Sequence, residues 1–286
     1  SIIHILKVYL FIQRLRPIKM SITRDASLFL GGAAACGLGM LLYSKLTSSN
    51  TPEKIKFEYF NIFGAGEKVR LAMALSDVSW DDVRITGDEW RGKDGKPSRK
   101  SAARYGQLPI MTLEFAGSIK TEIYQSDAML RFVGSLDTTS KLYPADSMVR
   151  LKIDEALGLI ADLDRSWRPC LALGFNPQKY GHPDDLDASG KSMLLEKIRT
   201  MWMKEEMPKY MKYFEDFIAR NGGKFMCGNE LSIADLQAVH KLNYYRLGFA
   251  DHVPKTSMDQ YPKMLQYIND VMNEPRVKQY YESKKE

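Results

Sequence analysis

The chain has 286 residues, an apolar fraction of 44% and a formal net charge of +6, which allows one or two domains with a sizeable core. Much of the positive charge lies at the N-terminus, and this argues against a nucleic-acid-binding face on the folded body. The cysteines, Cys36, Cys170 and Cys227, share no close metal-ligand spacing. A zinc site or a disulfide framework is therefore disfavoured, and free thiols fit a reducing compartment.

Residues 1–25 form a basic leader. Its five Lys and Arg residues all precede Asp25, the first acidic residue, and are Lys7, Arg14, Arg16, Lys19 and Arg24. Apolar residues mixed with cations are typical of an organelle presequence, although the segment is poor in Ser. Met20 is an alternative start, with the residues before it read from upstream of the reading frame.

Residues 26–44 (ASLFLGGAAACGLGMLLYS) carry no charge and are long enough to cross a bilayer as a helix. We interpret them as a transmembrane anchor; a cleaved targeting segment and a buried core helix are the alternatives. The polar linker at 45–53 disfavours the core helix. The expected location is therefore a membrane, with the globular part in a reducing compartment on the cytosolic or mitochondrial face. The alternative is an organelle-targeted protein with a cleaved leader.

The stretch KFEYFNIFGAGEKVRLAMA, from Lys56 to Ala74, predicts a strand, a turn at Gly64 and Gly66, and a helix. Tyr59 is expected at the end of the strand, beside the amino end of the helix. This geometry can present a phenolic hydroxyl and unpaired N–H groups to one ligand. The alternative is that Tyr59 is a half-buried core aromatic.

The rest of residues 54–137 continues this alternation of strands and helices. The pattern predicts a strand over 82–85, a solvated loop over 91–104, strands over 108–113 and 118–123 joined by a turn at 116–117, and a helix over 126–133. Ser126 is expected to cap that helix. Pro109 has no N–H for a sheet ladder, so we expect it at the start of a strand or on an edge.

Over residues 147–286, an all-helical domain is predicted, with helices as its regular secondary structure. Pro169 is expected to bend or end the first helix, and a long loop covers 174–190. A helical run over 191–220 contains Pro208, where we expect a kink or a restart. Gly222 and Gly223 end this run. Further helices begin near Asp235, where Ser232 and Asp235 form a capping box, and near Tyr261.

These motifs in this order resemble the cytosolic glutathione transferases over about residues 54–284, particularly the sigma-like class that includes glutathione-dependent prostaglandin D synthases. The matching stretches are KFEYFNIFGAGEKVRLAMA, DEW at 88–90, GQLPI at 106–110, YQSD at 124–127, and PKYMKYFEDFIARNGGKFMCGNELSIADL at 208–236. The resemblance implies an α/β thioredoxin-like domain (βαβ-ββα) over 54–137, followed by an all-helical domain over 147–286.

The resemblance also implies a glutathione site. Tyr59 aligns with the catalytic tyrosine, whose hydroxyl donates a hydrogen bond to the glutathione thiolate. The backbone of Leu108, before a cis Leu108–Pro109 bond, pairs with the cysteinyl part. The other residues implied are Gln125 and Ser126 at the γ-glutamyl end, Trp90 and Lys100 at the glycyl end, and Gln107 nearby. Glutathione is then the co-substrate, and no metal is expected.

The sequence departs from the family pattern at several positions. Ala65 stands where sigma-class enzymes often carry an Arg that supports the thiolate. The acidic residue that some members lend across the dimer falls at Gly158. The loop over 91–104 is longer than usual, which makes Lys100 the least secure of the site residues. These changes are compatible with glutathione binding, but they weaken the argument for strong catalysis.

The leading function is detoxifying conjugation of glutathione to hydrophobic electrophiles by a membrane-tethered homodimer that does not bind nucleic acid. A non-catalytic binding or scaffold module at a membrane is the alternative from another class, and a glutathione-dependent isomerase or peroxidase is the alternative among enzymes. The candidates for the acceptor pocket are Phe63, Trp167, Cys170 and Leu171. Plain helix packing and dimer contacts are an equally good interpretation of these four residues.

Overall fold

The computed structural model describes residues 51–93, 95, 97–116, 119–182 and 186–284. The predicted leader and anchor lie outside this part of the chain, as does Gly117 of the predicted hairpin turn. Within the described residues, no helix combines the length and the apolar character that a membrane span requires.

In the described part of the chain, four strands form a mixed sheet in the order β2-β1-β3-β4. They are β1 (Lys54–Phe60), β2 (Trp80–Ile85), β3 (Ile110–Phe115) and β4 (Ile119–Tyr124). β1 is parallel to β2 and antiparallel to β3, and β3 is antiparallel to β4. The predicted strands are confirmed with shifted ends. β2 begins at Trp80 rather than Asp82, because the parallel pairing with β1 extends to Ile55.

The helices that accompany the sheet are α1 (Gly64–Leu75), α2 (Gly87–Arg91), α3 (Arg99–Ala102) and α4 (Ser126–Ser135). The loop predicted over 91–104 therefore contains a short helix. The prediction that Ser126 caps α4 is wrong. Gln125 occupies the N-cap position with φ +76°, and no side chain there bonds the helix N–H groups. Ser126 is instead the first helical residue.

Pro109 directly precedes β3, so its expected position at the start of a strand is confirmed. The peptide bond between Leu108 and Pro109 is cis, as the resemblance implies. β3 lies between β1 and β4 rather than at an edge.

In the second half of the chain, every regular element that the structure describes after residue 137 is a helix. These helices are α5 (Ser147–Phe175), α6 (Ala188–Glu205), α7 (Met207–Asn221), α8 (Ile233–Arg246), α9 (Pro262–Met272) and α10 (Pro275–Glu282). A 3-10 helix, Pro177–Tyr180, lies within the loop predicted over 174–190. The restart near Pro208 and the stop at Gly222, which has φ +65°, are confirmed.

Pro169 does not end the first helix of this half, because α5 continues to Phe175. A proline inside a helix removes one backbone hydrogen bond. The packing of α6 against α5 supports the helix beyond this point. The guanidinium of Arg199 on α6 donates to the Cys170 carbonyl oxygen from Nε at 3.2 Å and from Nη2 at 3.1 Å.

The capping box at the start of α8 is confirmed, and its acid does more than cap. The fully buried Asp235 carboxylate accepts hydrogen bonds from the Ser232 N–H and hydroxyl, the Met226 N–H and the Tyr267 hydroxyl.

One apolar cluster in the described part of the chain runs from Ile55 in the sheet to Tyr280 in the last helix. The sheet and the helices therefore share a core.

Candidate active site

Tyr59 lies at the end of β1 and is only 7% exposed. Its hydroxyl oxygen accepts a hydrogen bond from the Ala65 N–H at 2.9 Å, at the start of α1. A Cβ added at Gly64 would lie 2.3 Å from that oxygen, and one added at Gly66 would lie 2.4 Å from the ring carbon Cδ1. Both glycines are therefore needed so that the backbone can contact the phenol, a requirement that the turn interpretation from sequence missed.

The buried side chain of Arg70, on α1, forms hydrogen bonds with the backbone that connects β1 to α1. Its fully buried guanidinium donates to the carbonyl oxygens of Phe60 and Ile62 and, through Nε at 2.9 Å, to Asp82. It also lies 5.6 Å from the centre of the Tyr59 ring. The ends of β1 and β2 are thereby fixed relative to α1.

The Tyr59 hydroxyl is a hydrogen-bond donor rather than a base. Burial raises its pKa above the ordinary value, and the Ala65 N–H and the Arg70 charge oppose that rise only in part. The hydroxyl is therefore protonated at neutral pH. Because its oxygen already accepts the Ala65 N–H, its own proton is available to a ligand atom with a lone pair.

The sheet register brings three of the predicted positions to the same edge. Ile110 at the start of β3 pairs with Tyr124 at the end of β4 and with Glu58 near the end of β1. Leu108 and Gln125, which lie just outside those strand ends, and Tyr59 therefore meet at this edge. Leu108 is half-buried and Gln125 is exposed.

The amino end of α4 completes this edge of the sheet. The first N–H groups of a helix have no partner within the helix, and they favour a bound anion. Ser126, half-buried, places its hydroxyl and N–H there. Gln125 holds a left-handed backbone conformation, φ +76°, which is uncommon for a residue other than glycine and clusters at functional sites.

The residues predicted for the glycyl end differ in their exposure. Trp90 is 8% exposed and packs edge-on against Phe60 at 6.3 Å, within a small cluster that also contains Tyr124. Lys100 on α3 and Gln107 after it are exposed. Trp90 is therefore held by packing, whereas Lys100 and Gln107 are free to reach a ligand.

A contact that sequence reasoning missed fixes α3. The Arg99 guanidinium pairs with the carboxylate of Glu58, a residue of β1 that is only 6% exposed. The Ser98 hydroxyl donates to the Trp90 carbonyl oxygen at 3.2 Å. The basic segment is thus joined to the sheet at this end, and it is not a wholly solvated loop.

The four acceptor candidates separate into two pairs. Phe63 is 49% exposed and Leu171 is 40% exposed, whereas Trp167 is 5% and Cys170 is 1% exposed. Trp167 packs edge-on against Trp202 at 4.8 Å, and burial raises the pKa of the Cys170 thiol to about 11. The packing alternative therefore fits Trp167 and Cys170, and Phe63 and Leu171 remain accessible.

A row of aromatic rings links Phe63 to the helical half. Phe63 stacks on Phe249 with ring centres 6.1 Å apart. Phe249 contacts Tyr244, which in turn packs against Trp167. Phe249 is 55% exposed and was not among the candidates, because a lone aromatic after Gly248 gives no distinctive sequence signal.

Two other features bear on the site. A groove of about 940 Å³ lies between α5 and α7, and none of the predicted glutathione or acceptor residues lines it. In the residues that the structure describes, no cluster of His, Cys, Asp or Glu has the arrangement of a metal site.

Comparisons with known proteins find similar sequences over most of the chain. The family model "Glutathione S-transferase, C-terminal domain" matches residues 189–284. Glutathione S-transferase P 1 of Xenopus laevis is 27% identical over 228 residues, which are 79% of this chain and 90% of the relative. A glutathione S-transferase of Anopheles gambiae is also 27% identical, over 79% of this chain and 94% of the relative. Over most of its length the chain is therefore similar to proteins named glutathione S-transferases.

Solved structures agree with the glutathione S-transferase fold. Prostaglandin synthase D of Nilaparvata lugens has a TM-score of 0.59 at 24% identity and covers 80% of this chain and 97% of its own. A sigma class glutathione S-transferase of Fasciola hepatica has a TM-score of 0.62 at 18% identity, over 80% of this chain and 96% of its own. The expected architecture, a thioredoxin-like sheet domain followed by helices, is confirmed.

Proposed function

We propose that the protein is a glutathione transferase that conjugates the glutathione thiolate to hydrophobic electrophiles. The observation that carries the proposal is the buried Tyr59 hydroxyl, whose oxygen accepts the Ala65 N–H at 2.9 Å. Its proton is free to donate at the edge of the sheet where Leu108 and Gln125 also lie. The named glutathione S-transferases among the relatives support glutathione as the co-substrate.

The chemistry requires charge on sulfur. A free thiol has a pKa of about 8.5, so it is mostly neutral at pH 7, and the thiolate is the nucleophile. Lowering that pKa by about two units requires a differential stabilisation of about 2.7 kcal/mol. A hydrogen bond from the Tyr59 hydroxyl to the charged sulfur is charge-assisted and contributes about 1.5–3 kcal/mol. Tyr59 is the catalytic residue in this scheme.

The tripeptide would lie along the same edge of the sheet. The γ-glutamyl carboxylate would bind at the amino end of α4, with Gln125 and the Ser126 hydroxyl and N–H. The backbone of Leu108 would pair with the cysteinyl part of glutathione. Gln107, Lys100 and Trp90 would contact the glycyl end, where the Lys100 ammonium offers charge to the terminal carboxylate.

A hydrophobic electrophile would bind beside Tyr59. The exposed stack of Phe63 and Phe249 offers apolar surface at the amino end of α1, directly after the strand that carries Tyr59. Leu171 is a further exposed candidate. Aromatic faces of this kind contact flat, apolar acceptors.

A non-catalytic glutathione-binding module is the second candidate, and Ala65 favours it. Its methyl group offers no charge beside the thiolate, although its N–H supports Tyr59. Two measurements separate the candidates. A glutathione-dependent rise in melting temperature reports binding to the native state, and conjugation of an aryl halide reports catalysis. Binding without conjugation would support the module, and no stabilisation by millimolar glutathione would contradict both candidates.

The proposal also includes a subclass, that of the sigma-like glutathione transferases. The sigma-like motifs, together with a fold shared with a prostaglandin synthase, support a sigma-like enzyme. Isomerisation of an endoperoxide or reduction of a peroxide would use the same thiolate and is the enzymatic alternative. Parallel assays with an aryl halide, an organic hydroperoxide and a prostaglandin endoperoxide would distinguish these reactions.

We also propose a homodimer formed through the face that contains α5 and α7. The groove between these helices is lined by Gly158, Tyr213 and Phe217, among others. The first turns of α5 expose Met148 at 62% and Leu151 at 59%. Light scattering should give the mass of a dimer for the wild type and of a monomer for Tyr213→Glu. A wild-type monomer would contradict this proposal.

The location proposed from the sequence is a membrane, through residues 26–44. The full chain should stay with membranes after carbonate extraction, and a chain that begins at Thr51 should be released. If the full chain is released intact, the segment is not an anchor.

A further inference from the structure

Glu67 is a buried carboxylate in the first turn of α1. Its side chain is 3% exposed. The carboxylate accepts a hydrogen bond from the Tyr280 hydroxyl at 3.0 Å and another from the Lys284 ammonium at 2.9 Å. Tyr280 belongs to α10, and Lys284 follows that helix closely. Because an unpaired buried carboxylate is strongly unfavourable, these two groups fix Glu67 against the last helix.

The last helix is bonded to α1 near both of its ends. Arg276, in the first turn of α10, donates from Nη1 to the Leu75 carbonyl oxygen at 3.3 Å, where α1 ends. Tyr280, one turn later, bonds Glu67 near the start of α1. Between these bonds α10 buries Val277 in the apolar core. Apolar packing is not directional, whereas hydrogen bonds at two fixed points set the position of α1 along its axis.

The turn that contains Glu67 is also the turn that orients Tyr59. The Glu67 N–H donates to the Phe63 carbonyl oxygen at 2.9 Å, and this bond closes the first turn of α1. The same turn contains Ala65, whose N–H donates to the Tyr59 hydroxyl oxygen. It also contains Gly66, where an added Cβ would lie 2.4 Å from the phenol ring. A shift of this turn therefore moves the phenol or breaks its hydrogen bond.

We propose that Glu67 is a positioning residue for Tyr59. Tyr280 and Lys284 hold Glu67 in place, so the last helix acts on the catalytic group through the first turn of α1. The inference rests on the proposed function. Arg70 bonds the backbone before α1 from the side of the sheet, and Glu67 fastens the helix itself from the side of α10. None of the residues proposed to contact glutathione or its acceptor lies on α10.

Tyr280→Phe, made in the full chain, is the main test, because it removes one hydrogen bond to Glu67 without changing any charge. The readouts are the pKa of the bound glutathione thiol, from its ultraviolet absorption against pH, and separate values of kcat and KM for an aryl halide. The thiol pKa should rise by about 0.5–1 unit and kcat near pH 6.5 should fall about three- to ten-fold, since one unit corresponds to a factor of ten. The affinity for glutathione should change less than about two-fold.

Two control variants on α10 separate positioning from stability. Tyr281→Phe removes the same group from the neighbouring residue, whose hydroxyl makes no hydrogen bond with any residue that the structure describes. It should leave the thiol pKa at the wild-type value. Val277→Ala removes buried methyl groups and keeps both bonds to Glu67. It should lower the melting temperature at least as much as Tyr280→Phe, again without a change in the thiol pKa.

A double variant tests whether Tyr280 acts through Tyr59. In a Tyr59→Phe background, Tyr280→Phe should raise the thiol pKa no further, because the hydroxyl that it helps to position is already gone. A second rise of the same size in that background would mean that Tyr280 affects the thiol by another route.

Glu67→Gln distinguishes positioning from a direct effect of charge. Removal of a nearby negative charge would by itself lower the pKa of the thiol, whereas a displaced Tyr59 raises it. We expect a rise. Tyr280→Phe keeps the test decisive if Glu67→Gln does not fold.

The outcomes separate the inference from the proposed function. If Tyr280→Phe changes the thiol pKa no more than Tyr281→Phe does, or changes it equally with and without the Tyr59 hydroxyl, the inference is overturned and the proposed function stands. If the wild type neither binds nor ionises glutathione, the proposed function fails and the inference fails with it.

Discussion

The Ala65 N–H donates to the Tyr59 hydroxyl oxygen at 2.9 Å, across the turn that joins β1 to α1. This bond uses a helix N–H group that has no partner within α1, and it orients the phenol so that its proton points elsewhere. The side chain at position 65 is too small to act on a ligand, but its backbone positions the proposed catalytic group.

Tyr59→Phe removes this hydroxyl and keeps the ring between Gly64 and Gly66. Without the donor, the pKa of bound glutathione should rise by about one to two units, because 1.36 kcal/mol corresponds to one unit. Conjugation of an aryl halide near pH 6.5 should fall about ten- to a hundred-fold, with little change in glutathione affinity. Ultraviolet absorption of the thiolate against pH measures the pKa directly. An unchanged thiol pKa would exclude Tyr59 as the group that stabilises sulfur.

Ala65→Arg supplies a cation where this chain has none. Ala65 is exposed, so the longer side chain has room. Because a cation within several ångströms favours the charged form of an acid, the pKa of the bound thiol should fall by about one unit and conjugation at low pH should rise. Ala65→Gln adds similar bulk without charge and should leave the pKa unchanged. Equal effects of both variants would show that charge is not the limiting factor.

Gly66→Ala tests the close contact behind Tyr59. The new Cβ would lie 2.4 Å from Tyr59 Cδ1, so the ring must move. Displacing a catalytic group by about 1 Å lowers the rate of the reaction about ten- to a hundred-fold. Gly134→Ala is the matched control, since its Cβ would lie 2.5 Å from Ile233 Cγ2. Both variants should unfold at lower temperature, but only Gly66→Ala should lower conjugation per folded molecule.

Asp137 should make stability depend on pH. Burial alone would raise its pKa, but the N–H groups of Leu142, Thr139 and Lys141 and the Thr139 hydroxyl outweigh burial and hold the pKa below the ordinary value of 3.8. The carboxylate therefore stabilises the fold above that value, and this stability is lost as pH falls through the lowered pKa.

Asp137→Asn should be less stable than the wild type by about 1–3 kcal/mol at pH 7, and the difference should shrink as the pH falls below about 3.8. Urea unfolding at several pH values measures it. Glu282→Gln, in an exposed ion pair with Lys278, should change stability little at any pH. A difference between Asp137→Asn and the wild type that does not vary with pH would contradict the charged role of Asp137.

Several features could be predicted from the sequence because they depend on residues close together in the chain. The strand, glycine turn and helix around Tyr59, the restart of the helices near Pro208, and the capping box of Ser232 and Asp235 each lie within one or two turns of backbone. Their hydrophobic periods and cap residues act locally. The resemblance, carried by such local motifs in order, likewise predicted the fold.

Tertiary structure decided the contacts that join distant segments. Lys68 and Asp127 are 59 residues apart and Glu58 and Arg99 are 41 apart, and the stack of Phe63 on Phe249 joins the sheet to the helical half. From the sequence alone these residues are separate charges and separate aromatic rings, and their contacts cannot be predicted. Whether an ion pair is buried, or a glycine contacts a phenol, depends on which elements the topology packs together. A buried charge is stable only where that packing gives it a partner, and no local sequence pattern encodes such a partner.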